Sequence, residues 1–92
     1  MSNWKNVNLK TQYLNGETQK CYKVVIPSKG HFYIPKTQCR FRNGLMNIGI
    51  NQDWDTYTFT TVVENSGGEV EYIPTPEMNG EEFYNELKAF EE

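Results

Sequence analysis

Few side chains in this sequence have the type and spacing that covalent chemistry requires. His31 is the only histidine. Its ordinary pKa suits proton transfer, but no nucleophile or carboxylate pattern surrounds it in sequence, so an acid–base role has no second member. Asp53 and Asp55 flank Trp54, and two carboxylates fall short of the roughly 6–8 oxygen ligands that a calcium-type cation takes. Cys21 and Cys39 are the only thiols, enough for one disulfide and too few for a tetrahedral metal set. In a chain without a secretion signal they are expected as free thiols. Gly67-Gly68 leads into a β-prone run, with no Lys-Ser/Thr and no helix behind it, so it is not a phosphate loop. The expectation is a non-enzymatic protein with no cofactor and no metal.

Binding chemistry is better represented, because charge is divided along the chain. Residues 1–63 carry eight Lys/Arg against Glu17, Asp53 and Asp55, a net of +5. Residues 64–92 carry Lys88 against nine glutamates, a net of −8. Such asymmetry marks proteins that meet nucleic acid, or that meet something built to hold it.

The acidic half supports the leading reading. Glu69 and Glu71 fall on a predicted strand, where Glu is depleted, and Glu81, Glu82 and Glu86 fall on a predicted helix. Spaced negative charge of this kind can dock where phosphates normally sit on a host protein that handles DNA or RNA, and block it. Tyr84 and Trp54 are the candidate aromatic anchors. The alternative uses the basic half. Lys23, Lys29, Lys36, Arg40 and Arg42 alternate with Tyr22, Tyr33 and Phe41, which supplies cations for phosphates and rings for single-stranded bases. A third reading pairs two copies into a homodimer through an exposed edge or the Thr56-Thr58-Thr60 face.

These residues need a sheet to hold them. Residues 6–14 alternate, with Val7, Leu9 and Tyr13 on one face, and Asn15-Gly16 then reads as a two-residue hairpin turn. Residues 18–26 point Tyr22, Val24 and Ile26 one way. Pro27-Ser28-Lys29-Gly30 closes that strand. A short strand follows to Ile34 and ends at Pro35, which has no N–H for a ladder. Residues 39–42, with Phe41 inward, turn at Asn43-Gly44 into 45–50, whose Met46, Ile48 and Ile50 share a face. The β-branched run 54–63 reads as the longest strand, with Tyr57, Phe59, Thr61 and Val63 toward the core. A loose turn at 65–68 leads to a last strand over 69–73 with Val70 and Tyr72 inward.

After Pro74-Thr75-Pro76 the period changes. Asn79 is a helix N-cap, Glu82 can complete a capping box, and Met78 can staple onto Phe83. Phe83, Leu87 and Phe90 then form one apolar stripe. The predicted fold is a single α+β domain, with five or six short antiparallel strands over 1–73, as a curled sheet or small barrel, followed by an acidic C-terminal helix over 79–91.

Ninety-two residues of which 37% are hydrophobic allow one modest core. With 14% aromatics, a few rings of roughly 150–250 Å² each must supply much of it. No run of eighteen apolar residues is present and no basic, apolar leader opens the chain, so a cytoplasmic protein with no membrane span is expected.

The run 17–38, with Tyr33-Ile34-Pro35-Lys36-Thr37-Gln38 at its end, resembles a class of short proteins common in bacteriophages and mobile elements. These carry an aliphatic strand, a turn, and then an aromatic, an aliphatic residue, Pro, Lys, Ser or Thr, and Gln. A later aliphatic stretch ending near Trp54 fits as well. The match covers about two fifths of the chain. It departs in having Tyr33 where Trp is commoner, and in the acidic C-terminal part. The resemblance implies a phage-type setting, in which small proteins antagonise host nucleases such as CRISPR effectors, and it implies no mechanism.

Overall fold

The structure, a computed structural model, describes residues 3–92. Among them are eight strands and one helix: β1 (Trp4–Lys10), β2 (Leu14–Glu17), β3 (Cys21–Ile26), β4 (Gly30–Pro35), β5 (Cys39–Arg42), β6 (Leu45–Asn51), β7 (Thr60–Glu64), β8 (Val70–Pro74) and α1 (Gly80–Lys88). They form two open antiparallel sheets, ordered β1-β6-β5 and β2-β3-β4-β7-β8. The class is α+β as expected. There are more strands than the five or six predicted, in two sheets, and neither closes into a barrel.

Strand alternation makes the core. Val7 and Leu9 of β1 and Met46, Ile48 and Ile50 of β6 line the inner face of the first sheet, and Val24, Ile26, Phe32 and Ile34 line that of the second. All are buried, together with Phe59 and the helix residues Phe83 and Leu87. Phe83 is the hub, with ring centroids 5.0 Å from Phe32, 4.9 Å from Phe59 and 4.4 Å from Tyr57, the last stacked. A nine-residue helix is marginal alone, and this aromatic contact holds it. The Asn79 side chain accepts from the Glu82 N–H at 2.8 Å, satisfying one orphan donor of the first turn. Gly80 is required for close approach. A Cβ there would lie 2.0 Å from the Asn51 carbonyl oxygen, so only glycine lets the helix begin against the end of β6.

Four local expectations are corrected. Asn15-Gly16 lies within β2, and the turn is at Thr18, whose hydroxyl accepts from the Cys21 N–H (3.0 Å) while its own N–H donates to the Cys21 carbonyl (2.8 Å). Gly16, at φ +138°, absorbs the register shift between Leu14 and Glu17. The run 54–63 is strand only from Thr60. Its first part is pulled out of the sheet by other partners: Trp54 O accepts from Gly80 N (2.7 Å), Tyr57 exchanges two backbone bonds with Met78, and Phe59 is tied to Thr75 through both N–H and C=O. Phe41 lies on the inward side beside Tyr22 (5.4 Å, edge-on) but remains half exposed at the sheet margin. Thr61, Val63, Val70 and Tyr72 are not inward but exposed. The β7–β8 hairpin is joined to β4 by one residue pair, His31 with Thr60, and projects beyond the core. The molecule is accordingly elongated, 46 × 28 × 27 Å.

Candidate functional site

The parting of β4 from the segment 54–58 opens a groove. In the β3–β4 ladder the Lys36 N–H donates to the Lys20 carbonyl (2.9 Å). With the observed register, alternation makes Tyr22–Ile34 and Val24–Phe32 the pairs that exchange hydrogen bonds. The backbone groups of His31, Tyr33 and Pro35 therefore point away from β3. His31 meets Thr60, Pro35 has no N–H to satisfy, and Tyr33 has no ladder partner among the described residues.

This groove has a volume of about 540 Å³, and Trp4, Tyr33, Gln38, Asn51, Trp54 and Tyr57 are among its walls. Trp4, Tyr33 and Trp54 are 44%, 51% and 53% exposed, so each leaves about half its surface available to a ligand. The walls are tied to the core. Tyr57 stacks on Phe83, its hydroxyl accepts from the Asn51 N–H (3.0 Å), and Trp54 lies edge-on to it at 6.5 Å. Burial pushes the Tyr57 phenol up from its ordinary pKa, against the opposing Asn51 N–H. His31 sits edge-on to Tyr33 at 5.7 Å. Burial first, and then the charge of Lys23, hold its pKa below the usual 6.5, so it enters the site as a neutral hydrogen-bonding group.

Two further hollows continue from this one. A space of about 400 Å³ shares Trp4 and Gln38 with the groove and reaches Asn6, Arg40 and Asn47, and a third of about 300 Å³ shares Arg40 and Asn47 and reaches Arg42. Together they form a trough across the outer face of the β1-β6-β5 sheet. Register explains the lining, since Trp4 faces Asn51, Asn6 faces Gly49, Asn8 faces Asn47, and Asn47 faces Arg40. Trp4 rests on Gly49, where a Cβ would come 3.4 Å from its ring. Asn47 donates to Asn8 (2.8 Å), fixing both amides in the floor. No Asp or Glu lines any of the three hollows. Asp53 and Asp55 stand beside Trp54 at one end, and Asp53 accepts from the Asn3 N–H (3.1 Å).

Folding rearranges the charge division read from the sequence. Lys29 is ion-paired with Glu86, Lys36 with Glu17, and Lys10 with Glu92 at 3.7 Å. Lys36 also lies 5.2 Å over the Tyr22 ring, and its hydrogen bond to Glu17 raises its pKa. Of the predicted basic set, Tyr33 lines the groove, with Lys23 opposite it in register, and Arg40 and Arg42 line the hollows that continue from the groove. Lys29 and Lys36 are engaged elsewhere. Of the predicted acidic set, Glu86 is paired, Glu81 and Glu82 are in the first turn of α1, where its N-terminal dipole favours them, and Glu69 and Glu71 are on the projecting hairpin. Tyr84 is half-buried between Lys5 (5.3 Å) and Lys88 (5.7 Å), and Trp54 belongs to the trough.

Trp4, Gln38 and the asparagines of the floor were missed by sequence reasoning. The signal for Trp4 was its parity with Asn6 and Asn8, which places it on the polar face of β1. Cys21 and Cys39 are free thiols in different sheets, and burial pushes the Cys39 thiol up to about 11. Among the described residues no three His, Cys, Asp or Glu side chains converge as a metal-holding group, and no helix is long and apolar enough to cross a membrane. No protein-family model matches the chain, and no curated protein or solved structure matches it significantly.

Proposed function

We propose that this chain is a non-enzymatic domain that binds single-stranded nucleic acid along the trough. The observation that carries the reading is the lining itself, with three half-exposed rings continuing into two arginines that have no carboxylate partner among the described residues. Bases stack on Trp54, Tyr33 and Trp4, since every base has a π-face and stacking tolerates sequence. Phosphates run toward Arg40 and Arg42, with Lys23 adding charge beside Tyr33. Asn6, Asn47, Gln38 and Asn51 offer amide donors and acceptors to sugars and base edges. The carboxylates of Asp53 and Asp55 disfavour phosphate at the Trp54 end, so that end receives a base. A duplex keeps its bases stacked inside and cannot offer them to these rings.

The test is titration of the protein with fluorescein-labelled oligothymidylate, read by anisotropy and by quenching of tryptophan emission, at low and at physiological salt. Saturable binding with quenching, and weaker binding of the corresponding duplex, is the expected result. Failure to bind at low salt, or equal affinity for the duplex, refutes the proposal.

A further inference from the structure

The β7–β8 hairpin is a separate surface. Five of the molecule's large exposed hydrophobic residues, Val62, Val63, Val70, Tyr72 and Ile73, lie on it, and Tyr72 is 67% exposed. In register, Val62 stands opposite Tyr72 and Thr61 opposite Ile73, so apolar side chains occupy both faces. Its tip is built rather than loose. The Asn65 side chain accepts from the N–H groups of Gly67 (2.9 Å) and Glu69 (3.1 Å), and the Gly68 N–H donates to the Asn65 carbonyl (3.0 Å).

β8 is the outer strand of its sheet. The Thr75 N–H donates to Phe59 and the Asn65 N–H to Glu69, so alternation places the ladder bonds at Thr61–Ile73 and Val63–Glu71. The N–H and C=O of Val70 and Tyr72 consequently point out of the sheet, and Pro74, which lacks an N–H, occupies the third outward position. The edge carries no lysine to discourage pairing. Charge selects the partner. Glu64, Glu69 and Glu71 lie on the hairpin, and no Lys or Arg occurs between Arg42 and Lys88.

We infer that β8 docks an extended segment of a partner protein that alternates Lys or Arg with apolar residues, taken up as an additional antiparallel or parallel strand. Backbone bonds to Val70 and Tyr72 hold it, as in strand addition generally, and the glutamates select its cations. A second copy of this chain fits poorly, because two β8 strands side by side bring Glu69 and Glu71 of both into one ladder. A two-stranded hairpin is marginal in water, and a third strand completes it.

The probe is an eight-residue peptide alternating lysine and valine, blocked at both ends, with a glutamate–valine peptide as control, titrated into the isotope-labelled protein. The amides of Val70 and Tyr72 are expected to shift and gain protection from exchange with the first peptide only. Val70→Pro removes one outward N–H and leaves the β7–β8 ladder intact, so it should weaken binding about tenfold at unchanged melting temperature. Glu69→Lys with Glu71→Lys should abolish binding. Shifts confined to the trough, equal binding of the two peptides, or full affinity of the proline variant overturn the inference. Self-association of the free protein through β8 overturns it in favour of a second copy. Loss of oligonucleotide binding has no bearing on these readouts, so the two proposals fail separately.

Discussion

Removing Arg40 and Arg42 should change how nucleic-acid binding depends on salt, and removing a ring should not. The trough and its rim hold three cations, Lys23, Arg40 and Arg42. Each phosphate contact to a single strand contributes about 0.7 to the slope of log K against log salt, so three give a slope of about −2. Between 50 and 200 mM salt that is a loss of about 20-fold in affinity, whereas Arg40→Ala with Arg42→Ala leaves a slope of about −0.7 and a loss of about threefold. Trp4→Ala removes stacking worth roughly 1–3 kcal/mol, a uniform loss of about 5- to 150-fold at every salt concentration. Lys29→Ala and Lys36→Ala should barely alter the slope, because these ammonium groups are held by Glu86 and Glu17. The assay is fluorescence anisotropy with oligothymidylate over a salt series. An unchanged slope in the double arginine variant, or a slope lost equally in the Lys29 and Lys36 variants, would show that phosphates follow another path and refute the assignment.

Three further outcomes follow from the packing. Gly80→Ala places a methyl 2.0 Å from backbone at Asn51, so the start of the helix must move. An overpacking cost of about 3 kcal/mol should lower the melting temperature by roughly 12–24 °C and weaken oligonucleotide binding, since Gly80 N also holds the Trp54 carbonyl. Phe83→Ala empties the centre of the ring cluster and should cost about 3–5 kcal/mol in denaturant unfolding, with loss of the Tyr57 wall of the groove. Cys39 produces an alkaline instability. Its folded-state pKa of about 11 lies above the ordinary 9.0, so between those values the unfolded chain has lost a proton that the folded chain keeps. Stability is then fully present below pH 9 and falls toward a loss of about 3 kcal/mol above pH 11. Cys39→Ala should remove this part of the alkaline loss in urea melts and leave the part due to Tyr57 and Lys36, whose pKa values are also raised.

The sequence by itself determined the features that depend on near neighbours. Alternation in β1, β3 and β6 correctly places Val7, Leu9, Val24, Ile26, Met46, Ile48 and Ile50 inside, because side-chain direction in a strand has a fixed period of two. The Asn43-Gly44 turn is legible for a similar reason, since both residues accept the positive φ values, +54° and +76°, that they adopt. So is the start of the helix, where Asn79 and the Phe83–Leu87 spacing state the cap and the buried stripe.

Only the tertiary structure decided the site. The run 54–63 has the composition of a strand, yet its first half lost that choice to partners at Thr75, Met78 and Gly80 that are distant in sequence. That competition opens the groove beside β4 and brings Trp4, Tyr33 and Trp54 together. The same holds for charge. Along the chain, basic and acidic halves look like two independent surfaces. In space, Coulomb attraction across the fold pairs Lys10, Lys29 and Lys36 with Glu92, Glu86 and Glu17. The basic surface that remains is centred on Arg40 and Arg42, and the hairpin keeps its glutamates because among the described residues no cation pairs with them.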